Sequence, residues 1–326
     1  MKLGSLKSPH SRDGELCVIS KDLKTAVKAT HISANLREAL ENWKDKEASL
    51  QKIYADLNAG SVADSFPVKE GDFHSALPRT WLFADGSAFI YHIKLVRMAR
   101  KAALPETLET VPLMYQGECG QFLAPTEDIP QRDFSHGTDF EGEVGVITDF
   151  VPMGVTPEEA LKCIRLFVLI NDVSLRGLIP EELAQGFGFF QSKPASALSP
   201  FAVTADELGS GWKEGRIHFP LQVNYNGQFF GKANASAMHF HFGQLIAHAA
   251  KTRNLAAGTV IGSGTVSNES HENGSSCLAE KRMIEQIETG SIKTPFMKSG
   301  DTIEIQMLDD KGQNIFGRIF QKVKAV

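Results

Sequence analysis

Hydrophobic residues occur mostly in short runs along this chain, and polar residues alternate with them in a two-residue period that is typical of β-strands. The pattern predicts strands at residues 16–20, 25–29, 221–230, 300–307 and 314–320, the last two as an antiparallel pair. An uninterrupted apolar run predicts a fully buried strand at residues 166–170. The pair Asn226-Gly227 divides residues 221–230 into two halves and predicts a β-hairpin turn.

Helical periodicity is confined to a few segments. Residues 36–57 carry one apolar stripe and predict a single long helix, and further helices are predicted at residues 88–101 and 242–250. The run Thr156-Pro157-Glu158-Glu159 predicts the start of a short helix, because it combines an N-cap residue, a proline at the first helical position and a capping-box glutamate. Residues 268–280 are polar and contain glycine, which predicts an irregular loop.

These elements predict an α+β fold that is mainly β, divided into two unequal units. Residues 1–76 combine two strands with one helix and carry no cluster of chemically active side chains, so we expect a small N-terminal accessory domain there. Residues 77–326 hold the remaining strands and all the candidate chemistry.

Composition narrows the class of protein. The net charge is −5 and no basic face stands out, so we expect no nucleic-acid partner. No apolar run is long enough to cross a bilayer, and residues 1–15 lack the apolar core of a signal peptide. The four cysteines lie far apart without a C-x-x-C pair, which favours reduced thiols and a cytoplasmic location.

One predicted strand, at residues 139–147, carries three acids among apolar residues. Asp139, Glu141 and Glu143 share one face, because successive side chains of a strand point to opposite sides. Glu141 and Glu143 would lie about 7 Å apart, where two ionised carboxylates repel one another. Either this is an edge strand with a solvated acidic face, or a hard divalent cation with oxygen ligands compensates the charge.

Further candidate residues stand near the ends of turns and strands. Asp85-Gly86 is a turn signal, and His92 follows on a predicted helix. These residues are either a turn and a packed histidine, or a metal ligand and a base. Asp172 follows directly after the apolar strand and is either a loop cap or a ligand. Lys193 follows an aromatic, glycine-containing run, where its ammonium can point at an anionic group.

From about residue 80 to the C-terminus, the order of these motifs resembles the fumarylacetoacetate hydrolase family. The motifs are Asp85 with His92 seven places on, Tyr115-Gln-Gly, Asp139-Phe-Glu141-Gly-Glu143, Asn171-Asp172-x-Ser-x-Arg176, Lys193, Ser263-Gly-Thr265 and the closing Gly-Asp-x-Ile strand. Residues before about 75 resemble the short N-terminal domain that some bacterial members carry. The resemblance implies a mixed β-sandwich roll for the larger domain, usually in a homodimer.

The resemblance also implies a metal site and a histidine base. The implied ligands are the carboxylates of Asp85, Glu141, Glu143 and Asp172. Oxygen ligands without soft ones suit Mg²⁺ or Ca²⁺, with Mn²⁺ as a further option. His92 is the implied base that activates water. Glu280 is the acid expected to orient it, with Glu272 and Glu269 as alternatives.

The implied substrate contacts come from other parts of the chain. Lys193 is implied as a catalytic cation, and substrate contacts are implied for Ser87, Tyr115, Arg176 and Thr265. Some positions depart from the family pattern. Ser87 stands where the fumarylacetoacetase has a tyrosine, Ile179 stands where a glutamine is expected, and residues 195–197 replace a threonine-rich stretch.

The function implied is metal-dependent hydrolysis of a carbon–carbon bond in a β-diketo acid. The first expectation is cleavage of fumarylacetoacetate to fumarate and acetoacetate, in tyrosine and phenylalanine breakdown. The alternatives are an acylpyruvate hydrolase, an oxaloacetate decarboxylase, a 2-oxo-acid hydratase, and a metal-stabilised binding protein without turnover.

Overall fold

The computed structural model describes residues 1–99 and 103–326. This part of the chain contains twenty strands: β1 Lys2–Ser8, β2 Ser11–Ile19, β3 Thr25–Lys28, β4 Phe66–Pro67, β5 Phe83–Gly86, β6 Met114–Gly117, β7 Ile129–Gln131, β8 Thr138–Asp139, β9 Gly142–Thr148, β10 Ile164–Asn171, β11 Ser174–Leu175, β12 Ala197–Leu198, β13 Phe201–Val203, β14 Trp212–Lys213, β15 Arg216–Ile217, β16 Leu221–Tyr225, β17 Gln228–Gly231, β18 Val260–Gly262, β19 Thr302–Met307 and β20 Ile319–Ala325. The same residues form eight α-helices: α1 Leu36–Glu41, α2 Trp43–Asn58, α3 Ile90–Ala99, α4 Pro157–Leu161, α5 Ile179–Gln185, α6 Ala205–Leu208, α7 Phe242–Ala249 and α8 Leu278–Thr289.

A large mixed sheet lies at the centre of the fold. Its strand order is β4-β3-β2-β1-β13-β10-β9-β18-β5-β6, and β12 also pairs with β10. Strands β18 and β5 run parallel, whereas the neighbouring pair β18 and β9 is antiparallel. A second sheet with the order β17-β16-β19-β20-β7 packs against β9 and β10. The mainly β, α+β class predicted from the pattern is confirmed. Among the described residues, none of the helices has the length and hydrophobicity needed to span a bilayer.

The central strands face two cores, one on each side of the large sheet. Val146 and Phe167 pack in the core between the two sheets. Ile147 and Leu166, their chain neighbours, face the opposite core beneath α1 and α2. Because both faces of β10 are buried, its sequence is an apolar run without alternation.

The N-terminal strands extend this large sheet. Lys2 of β1 pairs with Val203 of β13, and helices α1 and α2 cover the adjoining face through Leu36, Trp43 and Leu50. The predicted division between residues 76 and 77 stays a prediction.

Three predicted elements have different limits in the structure. The single helix predicted at residues 36–57 is two helices, because Asn42 leaves the helical region with φ −128° and ψ 32°. The helix predicted at residues 88–101 begins at Ile90, and its predicted end lies outside the described residues. The strand predicted at residues 314–320 lies further along the chain, as β20, because Asn314 instead bridges Leu308 in the turn after β19.

The acidic strand predicted at residues 139–147 is interrupted. Asp139 ends β8, which pairs with β11 in a separate two-stranded sheet, whereas β9 begins at Gly142. Between them, Glu141 forms an isolated bridge with Cys277. The prediction of one continuous strand was wrong because the two halves pair with different neighbours. The predicted loop at residues 268–280 also differs, since α8 begins inside it at Leu278.

Candidate active site

The strand order β9-β18-β5 brings two acids together across a glycine. Asp85 of β5 pairs directly with Gly262 of β18, and Glu143 lies in β9 on the other side. A Cβ atom at residue 262 would lie 2.3 Å from Asp85 Oδ1 and 3.0 Å from Glu143 Oε2. Glycine leaves room there, so the two carboxylates meet above β18.

Asp172 completes what we term the carboxylate cluster, which consists of Asp85, Glu143 and Asp172. It follows β10 directly, and one oxygen of each acid lies within 4.8 Å of the others. All three side chains are buried. Neither oxygen of Glu143 has a hydrogen-bond partner within the described chain. The sheet therefore concentrates negative charge that the surrounding residues leave uncompensated at Glu143.

Burial and neighbouring charges disfavour ionisation of two acids of this cluster, Asp85 and Glu143. Burial, followed by the charge of Asp172, raises the pKa of Asp85 from 3.8 to about 8. Burial and then Asp85 raise the pKa of Glu143 well above its usual range. A hard divalent cation suits a site of buried carboxylate oxygens such as this, because it supplies the positive charge that Glu143, which has no donor among the described residues, is missing. The cluster is therefore a group that can hold a hard metal ion through oxygen ligands alone, whereas His92, Cys277 and Glu280, the other group with suitable spacing among the described residues, include nitrogen and sulfur.

Glu141, the fourth predicted ligand, is bound to cationic side chains. Its Oε1 lies 2.8 Å from Lys193 Nζ and 3.1 Å from Arg176 Nη2. Ser174 Oγ donates to the same oxygen at 2.6 Å, and the Thr265 hydroxyl donates to Oε2. Burial alone would raise the pKa of Glu141, but Arg176 and Lys193 outweigh burial and hold it well below its usual range. A role for Glu141 in metal binding stays a prediction.

Lys193 joins Glu141 to the carboxylate cluster. Its Nζ lies 2.5 Å from Asp172 Oδ2, and the Tyr115 hydroxyl donates to the same oxygen at 2.6 Å. Burial would lower the pKa of Lys193, but Asp172 and Glu141 outweigh burial and raise it. The side chain is therefore a buried cation at the edge of the cluster.

His92 and Glu280 form a second group at the same place. His92 lies on α3, Glu280 lies in the first turn of α8, and His92 Nδ1 is 3.0 Å from Glu280 Oε1. Because an ionised carboxylate can only accept a hydrogen bond, Nδ1 carries the proton and Nε2 is the basic nitrogen. Nε2 lies 3.9 Å from Glu141 Oε2. Of the three acids predicted for this position, the structure places Glu280 against the histidine.

Asp139 does not lie on the same strand face as Glu143, where the sequence predicted it. Its Oδ2 accepts from Arg176 Nε at 2.9 Å, and its oxygens also accept from the Leu278 and Ala279 amides at the start of α8. The prediction was wrong because β8 and β9, which carry Asp139 and Glu143, belong to different sheets.

A cavity of about 320 Å³ lies between the carboxylate cluster and the His92–Glu280 pair. It is lined by Asp85, Ser87, His92, Ile93, Val96, Arg97, Leu113, Met114, Tyr115, Glu141, Arg176, Ile179, Leu183, Gly188, Phe189, Lys193, Gly264 and Thr265. Glu143, Asp172 and Glu280 are buried and reach the cavity through their contacts with Asp85, Lys193 and His92. The structure thus brings all the predicted site residues together, although their individual roles stay predictions.

Sequence reasoning missed some contributors to the site. Ser196 Oγ donates to Asp172 Oδ1 at 2.7 Å, and the Phe189 ring packs edge-on against Tyr115 with centroids 5.3 Å apart. Ser174, which binds Glu141, lies inside one of the motifs, so the sequence contained a signal for it. Ser196 lies in the stretch interpreted only as a departure from the family, and Phe189 lies in the aromatic run before Lys193.

Two family models match successive parts of the chain. The model described as Fumarylacetoacetate (FAA) hydrolase C-terminal matches residues 82–324. The chain belongs to the fumarylacetoacetate hydrolase family. The model described as Fumarylacetoacetase N-terminal domain 2 matches residues 1–79. The family predicted from the ordered motifs is therefore confirmed.

Proteins similar to this chain include a hydrolase related in sequence and two enzymes that share its fold. The 2,4-didehydro-3-deoxy-L-rhamnonate hydrolase of Sphingomonas sp. (strain SKA58) is 26% identical over 210 residues, which cover 63% of this chain and 69% of that protein. The fold matches fumarylacetoacetate hydrolase from Exiguobacterium antarcticum with a TM-score of 0.67 at 16% identity, over 100% of both chains. It matches 5-carboxymethyl-2-hydroxymuconate delta-isomerase from Mycobacterium smegmatis with a TM-score of 0.61 at 18% identity, over 100% of this chain and 99% of that one.

Proposed function

We propose that this chain is a divalent-cation-dependent hydrolase that cleaves a carbon–carbon bond in a β-diketo acid, with fumarylacetoacetate as the first substrate to test. The position of His92 carries the proposal. Glu280 holds its Nδ1 at 3.0 Å, and the same ring faces the cavity that Asp85 lines. A base beside a carboxylate cluster that can hold metal is the arrangement that water attack on a polarised carbonyl requires.

The proposed mechanism divides the work between the two groups. A divalent cation held by the carboxylate cluster, with Glu141 beside it, would supply Lewis-acid polarisation of the substrate carbonyls. His92 accepts a proton from water at Nε2, and Glu280 stabilises the resulting imidazolium through Nδ1. The hydroxide adds to the carbonyl carbon, the adjacent carbon–carbon bond breaks, and the departing carbon takes up the proton that His92 holds. Arg176 and Lys193 supply positive charge where the departing fragment becomes negative, a form of electrostatic stabilisation that is usually a large part of catalysis.

The lining of the cavity supports an acid with an extended tail. Both charged and apolar side chains line it. The apolar residues are Ile93, Val96, Leu113, Met114, Ile179, Leu183 and Phe189. A β-diketo acid offers oxygens to the charged side chains and carbon to the apolar ones. The name of the Sphingomonas relative, which describes carbonyls at C2 and C4 of an acid, also supports this substrate class.

A second candidate is hydrolysis of an acylpyruvate with a neutral tail. Ile179 lines the cavity where the family resemblance leads us to expect a glutamine, and Ser87 replaces a tyrosine. Both changes replace a long polar side chain of the wall, by an apolar one at Ile179 and by a short one at Ser87. An uncharged acyl group is therefore favoured over a second carboxylate at that position. We also propose a homodimer, which light scattering of the purified protein would test.

The test is loss of diketone absorbance on fumarylacetoacetate, acetylpyruvate and oxaloacetate, each with Mg²⁺ and after chelation. We expect metal-dependent cleavage of at least one diketo acid and its loss in His92→Gln. Turnover of oxaloacetate that survives His92→Gln would instead support a decarboxylase, because decarboxylation needs no attacking water. No consumption of any substrate by the wild type would support a metal-stabilised binding protein.

A further inference from the structure

A buried carboxylate that takes no part in the proposed chemistry lies directly behind the cavity. Asp139 is 0% exposed, and it is absent from the cavity lining and from the carboxylate cluster. Three donors nevertheless converge on its two oxygens, from Arg176, Leu278 and Ala279. A buried acid with this many partners holds those partners in fixed positions relative to one another.

The first set of contacts fixes the start of α8. Asp139 Oδ1 accepts from the Leu278 amide at 2.7 Å, and Oδ2 accepts from the Ala279 amide at 3.0 Å. These amides are the first two of a helix of 12 residues, whose N-terminal end favours a negative charge. The next residue is Glu280, whose side chain holds His92 Nδ1 at 3.0 Å. Asp139 therefore anchors the helix one residue before the acid that orients the base.

The second contact fixes Arg176. Its Nε donates to Asp139 Oδ2 at 2.9 Å, while its Nη2 lies 3.1 Å from Glu141 Oε1 at the cavity. A guanidinium is planar, so a fixed Nε also fixes the direction of Nη2. The backbone supports the same geometry, because Asp139 pairs with Ser174, two residues before the arginine.

We propose that Asp139 is a positioning residue that places Arg176 and the His92–Glu280 pair in register with one another across the cavity. One carboxylate thereby couples the expected substrate contact to the expected base. The kinetic part of this inference rests on the proposed function, whereas the geometric part does not.

Two substitutions remove the contacts in stages. Asp139→Asn keeps one oxygen that can accept from the Leu278 amide, but an NH₂ group in place of Oδ2 opposes the Arg176 Nε donor and the Ala279 amide. Asp139→Ala removes all of these contacts. Thr156→Ala is the matched control, because Thr156 Oγ1 accepts from the Glu159 amide at the start of α4 and lies outside the cavity lining.

Three properties should be measured on the full-length variants in Mg²⁺: kcat and KM on the best diketo acid, the dissociation constant for Mg²⁺, and the low-field NMR signal of the His92 Nδ1 proton. Selective ¹⁵N-histidine labelling gives the signal, and its loss in His92→Gln assigns it. For Asp139→Asn we expect KM to rise about tenfold, as for loss of one charged hydrogen bond, with kcat and the proton signal nearly unchanged. For Asp139→Ala we expect the same rise in KM, a fall in kcat of about thirtyfold or more, and loss of the signal.

The dissociation constant for Mg²⁺ should stay within about threefold of wild type in both variants, because Asp139 is not in the carboxylate cluster. Thr156→Ala should lower only the melting temperature.

If the Asp139 variants lower the melting temperature but keep kcat, KM and the proton signal, the residue is purely structural and the proposal is wrong. If Asp139→Ala does not fold, Asp139→Asn decides alone, since an unchanged KM overturns the coupling. If the wild type consumes no diketo acid, the proposed function fails, and the proton signal still tests the positioning of His92.

Discussion

The carboxylate cluster and the His92–Glu280 pair adjoin one cavity, yet the protein supports them in different ways. The cluster lies on and beside strands of the large sheet, where burial and then the charge of a neighbouring acid raise the pKa of Asp85 and of Glu143. Glu143 has no donor for either oxygen within the described residues. The pair lies on α3 and α8, where each member has the other as its partner at 3.0 Å. Within the cluster, Glu143 therefore lacks a partner unless a cation is added, whereas both members of the pair have a partner within the chain.

The helices that carry the pair also have local support of their own. Leu95 of α3 packs with Met283 and Ile284 of α8 in a small separate core. Outside the cavity, His271 in the segment before α8 joins the same two helices, because its Nε2 lies 2.5 Å from the Tyr91 hydroxyl of α3 and its Nδ1 lies 2.8 Å from Glu288 Oε1 of α8. Because the cluster and the pair are supported differently, we expect changes in the cluster to alter metal binding and metal-dependent stability. Changes in the pair should alter turnover alone.

The largest effect is expected for His92→Gln. Loss of the base should lower kcat by at least about 10²-fold, the usual contribution of general-base catalysis. The melting temperature and Mg²⁺ affinity should stay close to wild type, because the pair contributes no oxygen to the carboxylate cluster. The matched control is His271→Gln, which breaks the analogous contact with Glu288 outside the cavity. Steady-state kinetics and calorimetric titration check both variants, and equal losses of turnover in the two would contradict the assignment.

The next effect tests the cluster. Glu143→Gln removes a carboxylate that has no donors, so the metal-free variant should be at least as thermally stable as the metal-free wild type. In Mg²⁺ the order should reverse, with affinity for the ion lowered by more than about tenfold. The control is Glu304→Gln, whose carboxylate pairs with Arg318 at 3.1 Å. The control should keep the full Mg²⁺ response, and a Glu143 variant that also kept it would remove this residue from the metal site.

The pH dependence of metal binding sharpens the same contrast. Burial and then Asp172 raise the pKa of Asp85 to about 8, so the folded metal-free protein holds a proton that the unfolded chain releases near 3.8. The free energy of unfolding of the metal-free protein should therefore fall as pH rises between 3.8 and about 8. A cation needs the ionised acid, so Mg²⁺ affinity should rise with pH, by up to about tenfold per unit between about pH 6 and about pH 8. Melting curves recorded with and without Mg²⁺ at each pH measure this change in affinity. A rise in melting temperature on adding Mg²⁺ that does not change with pH would argue against a proton on the cluster.

Elements held by contacts within a few residues were predictable from the sequence. The Glu159 amide donates to Thr156 Oγ1 at 3.3 Å in the predicted capping box. Asn226 adopts a φ of 51° in the predicted hairpin turn, which asparagine tolerates better than most residues. Both elements depend on side chains and backbone that are adjacent along the chain.

Contacts between distant residues decided what the sequence could not predict. The acidic strand breaks because Glu141 bridges Cys277, and α8 begins inside a predicted loop where Asp139 accepts its first amides. The ordered motifs predicted which residues meet at the site. They could not predict that Lys193 and Arg176 neutralise Glu141, because those ion pairs depend on side-chain directions in the folded state.

The smallest effect is expected in the loop that supplies the cavity wall. The Glu182 carboxylate accepts from the Phe190 amide at 3.1 Å and the Ser192 amide at 3.2 Å, so it closes the loop that carries Phe189. Glu182→Ala should loosen that wall and raise KM by about three- to tenfold with kcat little changed, because this acid touches no group in the proposed chemistry. Glu181→Ala is the matched control, since Glu181 is the adjacent residue and its side chain is exposed. A fall in kcat for Glu182→Ala without a change in KM would mean that the loop acts on the base or the cluster, and the separation between the two regions would then be less complete than their contacts indicate.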